Sequence, residues 1–182
     1  MKWLRSIPNF LSALRIVIAI AFPFLPNYLR IVFLILALLT EYLDGALARR
    51  FSWITALGKT LDPIADRIFA FSVGLTFLSV SQISLGEFFL LFFRDLTVAT
   101  AFLFFVIVKQ NFKAISVFQP NIWGKLTTVL QYLVFFNIIL DGKANTGVML
   151  VTGIVGAVSA IYYVKIFLST YKTNSLGQSP IQ

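Results

Sequence analysis

Histidine and cysteine are both absent from this chain of 182 residues, and only seven positions carry Asp or Glu. The first absence excludes imidazole general bases, thiolate nucleophiles, disulfides, haem ligation and the usual nitrogen and sulfur zinc sites. The second leaves acid or base chemistry to a handful of carboxylates. Charged residues make up only 12% of the chain against 59% hydrophobic, too little polar surface to wrap a soluble core of this size. The composition therefore predicts an all-α integral membrane protein. At about 20 residues per spanning helix, the length accommodates six spans in one transmembrane domain over residues 1–170, with a polar tail at 171–182.

The formal net charge is +8, but Lys and Arg are spread along helix ends with no basic arm. That distribution points to the anionic lipid face of a membrane rather than to nucleic acid. The opening "MKWLRSIPNFLSALRIVIAIAFPF" has the layout of a signal peptide. Arg15 interrupts its apolar run, however, and Trp3 with Lys2 and Arg5 reads as an interfacial segment leading into a first span near residues 8–25. Pro23 and Pro26 mark a turn. Further apolar runs extend over Tyr28 to Leu47, Leu61 to Val80, a fourth to Val108 opened by a Ser84–Glu87 capping box, Ile122 to Leu140 and Val148 to Leu168. Lys2, Arg5, Arg49, Arg50 and Lys59, then Lys109, Lys113, Lys125, Lys165 and Lys172, fall on one side of such a six-span path, whereas Arg30 and Lys143 fall on the other. Orientation follows the positive residues, so both termini are expected in the cytoplasm, and in a bacterium the membrane would be the inner one.

The stretch "EYLDGALARRFSWITALGKTLDPIADR", Glu41 to Arg67, holds four of the seven acids and lies on the cytoplasmic side of this path. Glu41 and Asp44 are three apart, and Asp62 and Asp66 are four apart, so each pair shares a helix face. Gly58 and Lys59 read as a break between two helices, and Asp62-Pro63 reads as a helix start with Pro at the first position. Were the two helices packed side by side, four carboxylates would converge just inside the membrane. Their mutual repulsion at low dielectric costs several kcal/mol per ionised group unless compensated. Two magnesium or manganese ions are the natural compensation for an oxygen-only ligand set, and two metals about 4 Å apart suit in-line phosphoryl displacement. Gly45 and Ala48 read either as ordinary close-packing residues or, beside such a site, as room for a nucleotide, and Arg49 is placed to neutralise a diphosphate.

The pattern Glu41-x-x-Asp44-Gly45-x-x-Ala48-Arg49, eight residues, Gly58-x-x-x-Asp62-x-x-x-Asp66 resembles the signature of the CDP-alcohol phosphatidyltransferase family, with every spacing kept. The resemblance implies six helices around a polar cavity open to the cytoplasm, and transfer of a phosphatidyl group from CDP-diacylglycerol to an alcohol with release of CMP. It implies Glu41, Asp44, Asp62 and Asp66 as ligands of two metals and Gly45, Ala48, Arg49 and Gly58 as contacts of the cytidine diphosphate. Asp66 would be the base acting on the acceptor hydroxyl, and the assembly a homodimer. Glu41 departs from the family, which has Asp there.

Beyond the motif, "IPNFLSALR" resembles the start of enzymes that make phosphatidylglycerophosphate or cardiolipin. Arg94-Asp95 and "WGKLTTVLQ" look more like the CMP-forming cardiolipin synthases. Arg94 and Lys125 are the candidates for holding an acceptor phosphate, against a helix-to-helix ion pair for Arg94 and a snorkelling helix-end lysine for Lys125. The acceptor is thus expected to be phosphatidylglycerol or glycerol 3-phosphate. Two rivals stand beside this expectation. A small cation transporter could use the same acids but leaves Gly45, Ala48 and Arg49 without a role, and a family member that has lost catalysis is suggested by Glu41.

Overall fold

The computed structural model describes residues 7–51, 56–109 and 122–175, with side chains described at 10–41, 43, 64–101, 103–104 and 122–166. The described residues form six α-helices and no strand: α1 Ile7–Ala21, α2 Asn27–Phe51, α3 Ala56–Ser79, α4 Leu85–Lys109, α5 Ile122–Asp141 and α6 Thr146–Ser175. Among them, α5 and the Thr146–Ile166 part of α6 are long and apolar enough to cross a membrane, with mean hydropathies of 1.3 and 1.9. The polar connection at 110–121 lies outside the described residues.

Local chemistry sets most of the helix ends. A 3-10 turn at Phe22–Phe24 contains Pro23, and the Pro26 carbonyl then accepts from Leu29 N and Arg30 N to open α2. Ser84 and Glu87 form the expected capping box. Ser84 N donates to Glu87 Oε2 at 2.7 Å, and Glu87 N donates back to Ser84 Oγ at 3.3 Å. Asn145 caps α6 by accepting from Gly147 N at 2.9 Å and Val148 N at 3.3 Å, which starts that helix two residues before the apolar run. At the other end, α6 continues to Ser175, through residues that the sequence assigns to a polar tail. Gly142, at φ 74°, closes α5.

One boundary differs from expectation. Gly58, Lys59, Asp62 and Pro63 all lie inside α3, which begins at Ala56. Pro63 therefore forgoes the bond to the carbonyl of residue 59 rather than starting the helix. The positive helix end expected at Asp62 falls instead at Ala56.

Packing divides the chain into two compact units. The first comprises residues 1–83 and 135–143. Within it α1 is the shared partner, packing most extensively on α3 and next on α2. Ala19 is small enough for Ser72 Oγ to donate to its carbonyl at 2.5 Å, the kind of close polar contact that joins helices in lipid. Fully buried Phe22 meets Phe69 and Phe77 edge to face, at centroid distances of 5.9 and 6.3 Å.

The second unit comprises residues 84–134 and 144–182, and α4 packs against α6. Gly153 makes this approach possible. A Cβ there would lie 2.6 Å from Leu90 Cγ and 2.4 Å from its Cδ1. Outward-facing positions in both units are also apolar, among them Phe24, Val17, Phe89 and Ile154.

Candidate active site

Two continuous helices carry the acids. Glu41 and Asp44 lie on α2, and Asp62 and Asp66 lie on α3. Helical periodicity puts each pair on one face. Glu41 is half-buried, directly after Thr40, whose hydroxyl donates to the Ala37 carbonyl at 2.7 Å. The Asp66 side chain is 33% exposed. The side chains of Asp44, Gly45, Ala48, Arg49, Gly58 and Asp62 lie outside the described ones, although their backbone is helical. No group of three acids capable of holding a metal is found among the described residues.

Arg15 of α1 enters this region from the side. It is 1% exposed, and its Nη1 donates to Asp66 Oδ1 in an ion pair. Its Nε and Nη2 both point to Thr40 Oγ1 at 3.4 Å. One guanidinium thus touches the last acid of the motif on α3 and the residue preceding the first acid on α2. In the sequence Arg15 interrupts an apolar run and ends the "IPNFLSALR" segment, and neither observation gave it a role of its own. The available signal was its cost, since a charged group that becomes buried among apolar residues needs a partner. The partner could not be read locally, because it lies 51 positions away.

A groove of about 430 Å³ is lined by Arg67, Ile68, Phe71, Ser72 and Leu75 of α3 together with Pro23. Its wall is apolar apart from Arg67 and Ser72.

In the second unit, Arg94 and Asp95 are 5% and 2% exposed and form an ion pair at 2.6 Å. Arg94 Nη1 also donates to the Gly124 carbonyl and, at 3.2 Å, to Thr128 Oγ1. Gln131 Nε2 donates to Asp95 Oδ2 at 3.4 Å. Arg94 therefore grips the first turns of α5, immediately beside the exposed Lys125.

The whole described arrangement falls within one family pattern, as residues 5–164 match the model of the CDP-alcohol phosphatidyltransferases. The chain belongs to the CDP-alcohol phosphatidyltransferase family. The matched region includes Arg15, the four acids of α2 and α3, Arg94 and Lys125. A relative named CDP-diacylglycerol–glycerol-3-phosphate 3-phosphatidyltransferase, from Aquifex aeolicus (strain VF5), is 36% identical over 88 residues. That similarity covers 47% of this chain and 46% of the relative, so it spans about half the length of each.

Proposed function

We propose that this family member transfers the phosphatidyl group of CDP-diacylglycerol to a glycerol-type acceptor and releases CMP. The observation that carries the reading is the placement of the four motif acids as i,i+3 and i,i+4 pairs on two continuous helices inside the family match. Glycerol 3-phosphate is the first acceptor to test, because the relative from Aquifex aeolicus is named for it. Phosphatidylglycerol, giving cardiolipin, is the second, on the resemblance of the Arg94-Asp95 segment.

Glu41, Asp44, Asp62 and Asp66 would hold two divalent cations. Their oxygen-only donors fit magnesium or manganese, and the chain has no histidine or cysteine to favour a softer metal. Such ions, when bound, supply Lewis-acid stabilisation of the charge that develops on the phosphoryl oxygens.

The remaining work belongs to the chain. Gly45, Ala48 and Gly58 admit the cytidine nucleotide, and Arg49 pairs with its diphosphate. Asp66 takes the proton of the acceptor hydroxyl. The hydroxyl oxygen then bonds to the phosphorus that carries diacylglycerol, and the bond from that phosphorus to the bridging oxygen breaks, so that CMP departs with the electron pair. Lys125, and Arg94 acting from its pair with Asp95, hold the acceptor's phosphate. The apolar groove that starts at Arg67 suits a lipid whose charged end lies at the acids. Six spans with both termini cytoplasmic, set by the Lys and Arg distribution, and a homodimer complete the proposal.

Purified protein incubated with labelled CDP-diacylglycerol, magnesium and each acceptor in turn is expected to release CMP with one of them. Absence of CMP with every acceptor overturns the catalytic reading. Metal flux into liposomes that needs no nucleotide would favour the transporter instead.

A further inference from the structure

We infer that Arg15 is a positioning residue for the reaction, holding the Asp66 carboxylate in its working orientation and tying α3 to α2 through Thr40. The inference rests on the reading of Asp66 as the base.

Three observations carry it. The first is burial: at 1% exposure, a guanidinium needs a counter-charge, since an unpaired one in the interior is strongly destabilising. Asp66 is that counter-charge. The second is geometry. Arginine is a planar fork, so contacts from different nitrogens fix its orientation as well as its position. Here Nη1 is committed to Asp66, while Nε and Nη2 face Thr40. The third is placement. Helix α1 packs on both α2 and α3, so the side chain that joins Thr40 to Asp66 comes from the element against which both acid-bearing helices rest. A carboxylate has about four lone-pair sites, so a guanidinium on Oδ1 is compatible with further partners of Asp66.

A side chain of this kind contributes to the rate without touching substrate. Misplacing a reacting group by about 1 Å costs on the order of 100-fold. Loss of Arg15 should therefore fall on kcat, with KM for CDP-diacylglycerol little changed.

The test is a double-mutant cycle on the full chain in detergent–lipid micelles, using Arg15→Gln, Arg15→Lys, Asp66→Asn and the Arg15→Gln/Asp66→Asn double variant. CMP release and thermal unfolding are measured for each. Arg15→Gln is expected to lower kcat about 100-fold with KM for CDP-diacylglycerol within about threefold, and Arg15→Lys to recover part of the loss by restoring the charge. Asp66→Asn removes the carboxylate that Arg15 Nη1 meets and weakens the compensation of a buried charge, so the double variant should melt at a higher temperature than Asp66→Asn alone. It should be no less active.

A fall in kcat that multiplies with that of Asp66→Asn overturns the inference while leaving Asp66 as the base. So does a melting temperature in the double variant below that of Asp66→Asn. Full activity of Asp66→Asn overturns the reading of Asp66 as base, and the inference with it. If Arg15→Gln does not fold, Arg15→Lys decides: unchanged kcat shows that any cation suffices and overturns the orienting role.

Discussion

Arg15 on α1 and Asp66 on α3 form an ion pair, in which a guanidinium 1% exposed meets a carboxylate 33% exposed. The pair joins the protein's interior to its candidate site, because its buried partner is held by the packing of α1 and its accessible partner ends the family motif. A buried charge that would be costly alone is thus placed against a carboxylate of the motif.

The corresponding pair in the second unit predicts a stability effect. Arg94 and Asp95 are both almost fully buried, and Arg94 also secures Gly124 and Thr128 on α5. Asp95→Ala removes the counter-charge but leaves the guanidinium, so a destabilisation of about 3 kcal/mol is expected. An Arg94→Met/Asp95→Leu double variant should be less destabilised than Asp95→Ala, as read by denaturation in detergent. A double variant that unfolds more readily would show that the pair contributes more than mutual neutralisation.

Two glycines on α6 should respond in opposite ways to the same added methyl. At Gly153 a Cβ meets Leu90 Cγ at 2.6 Å, whereas at Gly156 its nearest neighbours are Thr127 Cγ2 at 3.5 Å and Arg94 Cβ at 3.8 Å. Gly153→Ala is predicted to cost about 1–3 kcal/mol through forced separation of α4 and α6. Gly156→Ala fits within ordinary contact distance and should be neutral or mildly stabilising, since alanine is the better helix former. Thermal melts of the two variants check this, and equal losses would contradict it.

The end of α3 stores a small strain that can be relieved. Gln82 N donates to Phe77 O and Ser81 N donates to Leu78 O, which places Ser81 in the left-handed position of a Schellman motif at φ 58°. A non-glycine residue there costs about 1 kcal/mol or more. Ser81→Gly should raise stability by about 0.5–1 kcal/mol after the extra freedom of glycine in the unfolded chain is counted. A lowered melting temperature would mean that the serine side chain has a role of its own.

What the sequence disclosed depended on how far apart the interacting residues were. The Ser84–Glu87 capping box spans three positions, so local pattern was enough to find it, and the helical backbone that carries the acids at 41, 44, 62 and 66 was legible from local periodicity in the same way. Asp62-Pro63 misled because the preference of proline for a first helical turn is also local, and in α3 it is overridden by a helix that starts at Ala56. The Arg15–Asp66 and Arg94–Gly124 contacts join separate helices, 51 and 30 positions apart. The sequence showed Arg15 as a break in an apolar run and Arg94 as a candidate for an acceptor phosphate or an ion pair, without identifying these long-range contacts.

Chelation distinguishes catalysis that uses the acids as a metal site from catalysis that uses them only as charges. With an oxygen-only donor set on α2 and α3, EDTA should abolish CMP release and either magnesium or manganese should restore it. Activity that persists in EDTA would remove the metal role from the acids.

Glu41 is the residue on which the catalytic reading turns most sharply. It lies half-buried on α2, one position after the Thr40 hydroxyl that faces Arg15, where the family has Asp. Its extra methylene keeps the charge but moves the carboxylate by about 1 Å, a displacement that a tuned site registers as up to 100-fold in rate. If α2 has adapted to the longer side chain, Glu41→Asp will lower kcat, Glu41→Ala will lower it further, and the wild type will be the most active of the three. If the chain is a degenerate member, the wild type will release no CMP and Glu41→Asp will release it. Steady-state assays of the three proteins with CDP-diacylglycerol and glycerol 3-phosphate separate these outcomes. Equal activity in all three would remove Glu41 from the proposed metal site and leave Asp44, Asp62 and Asp66 as its proposed ligands.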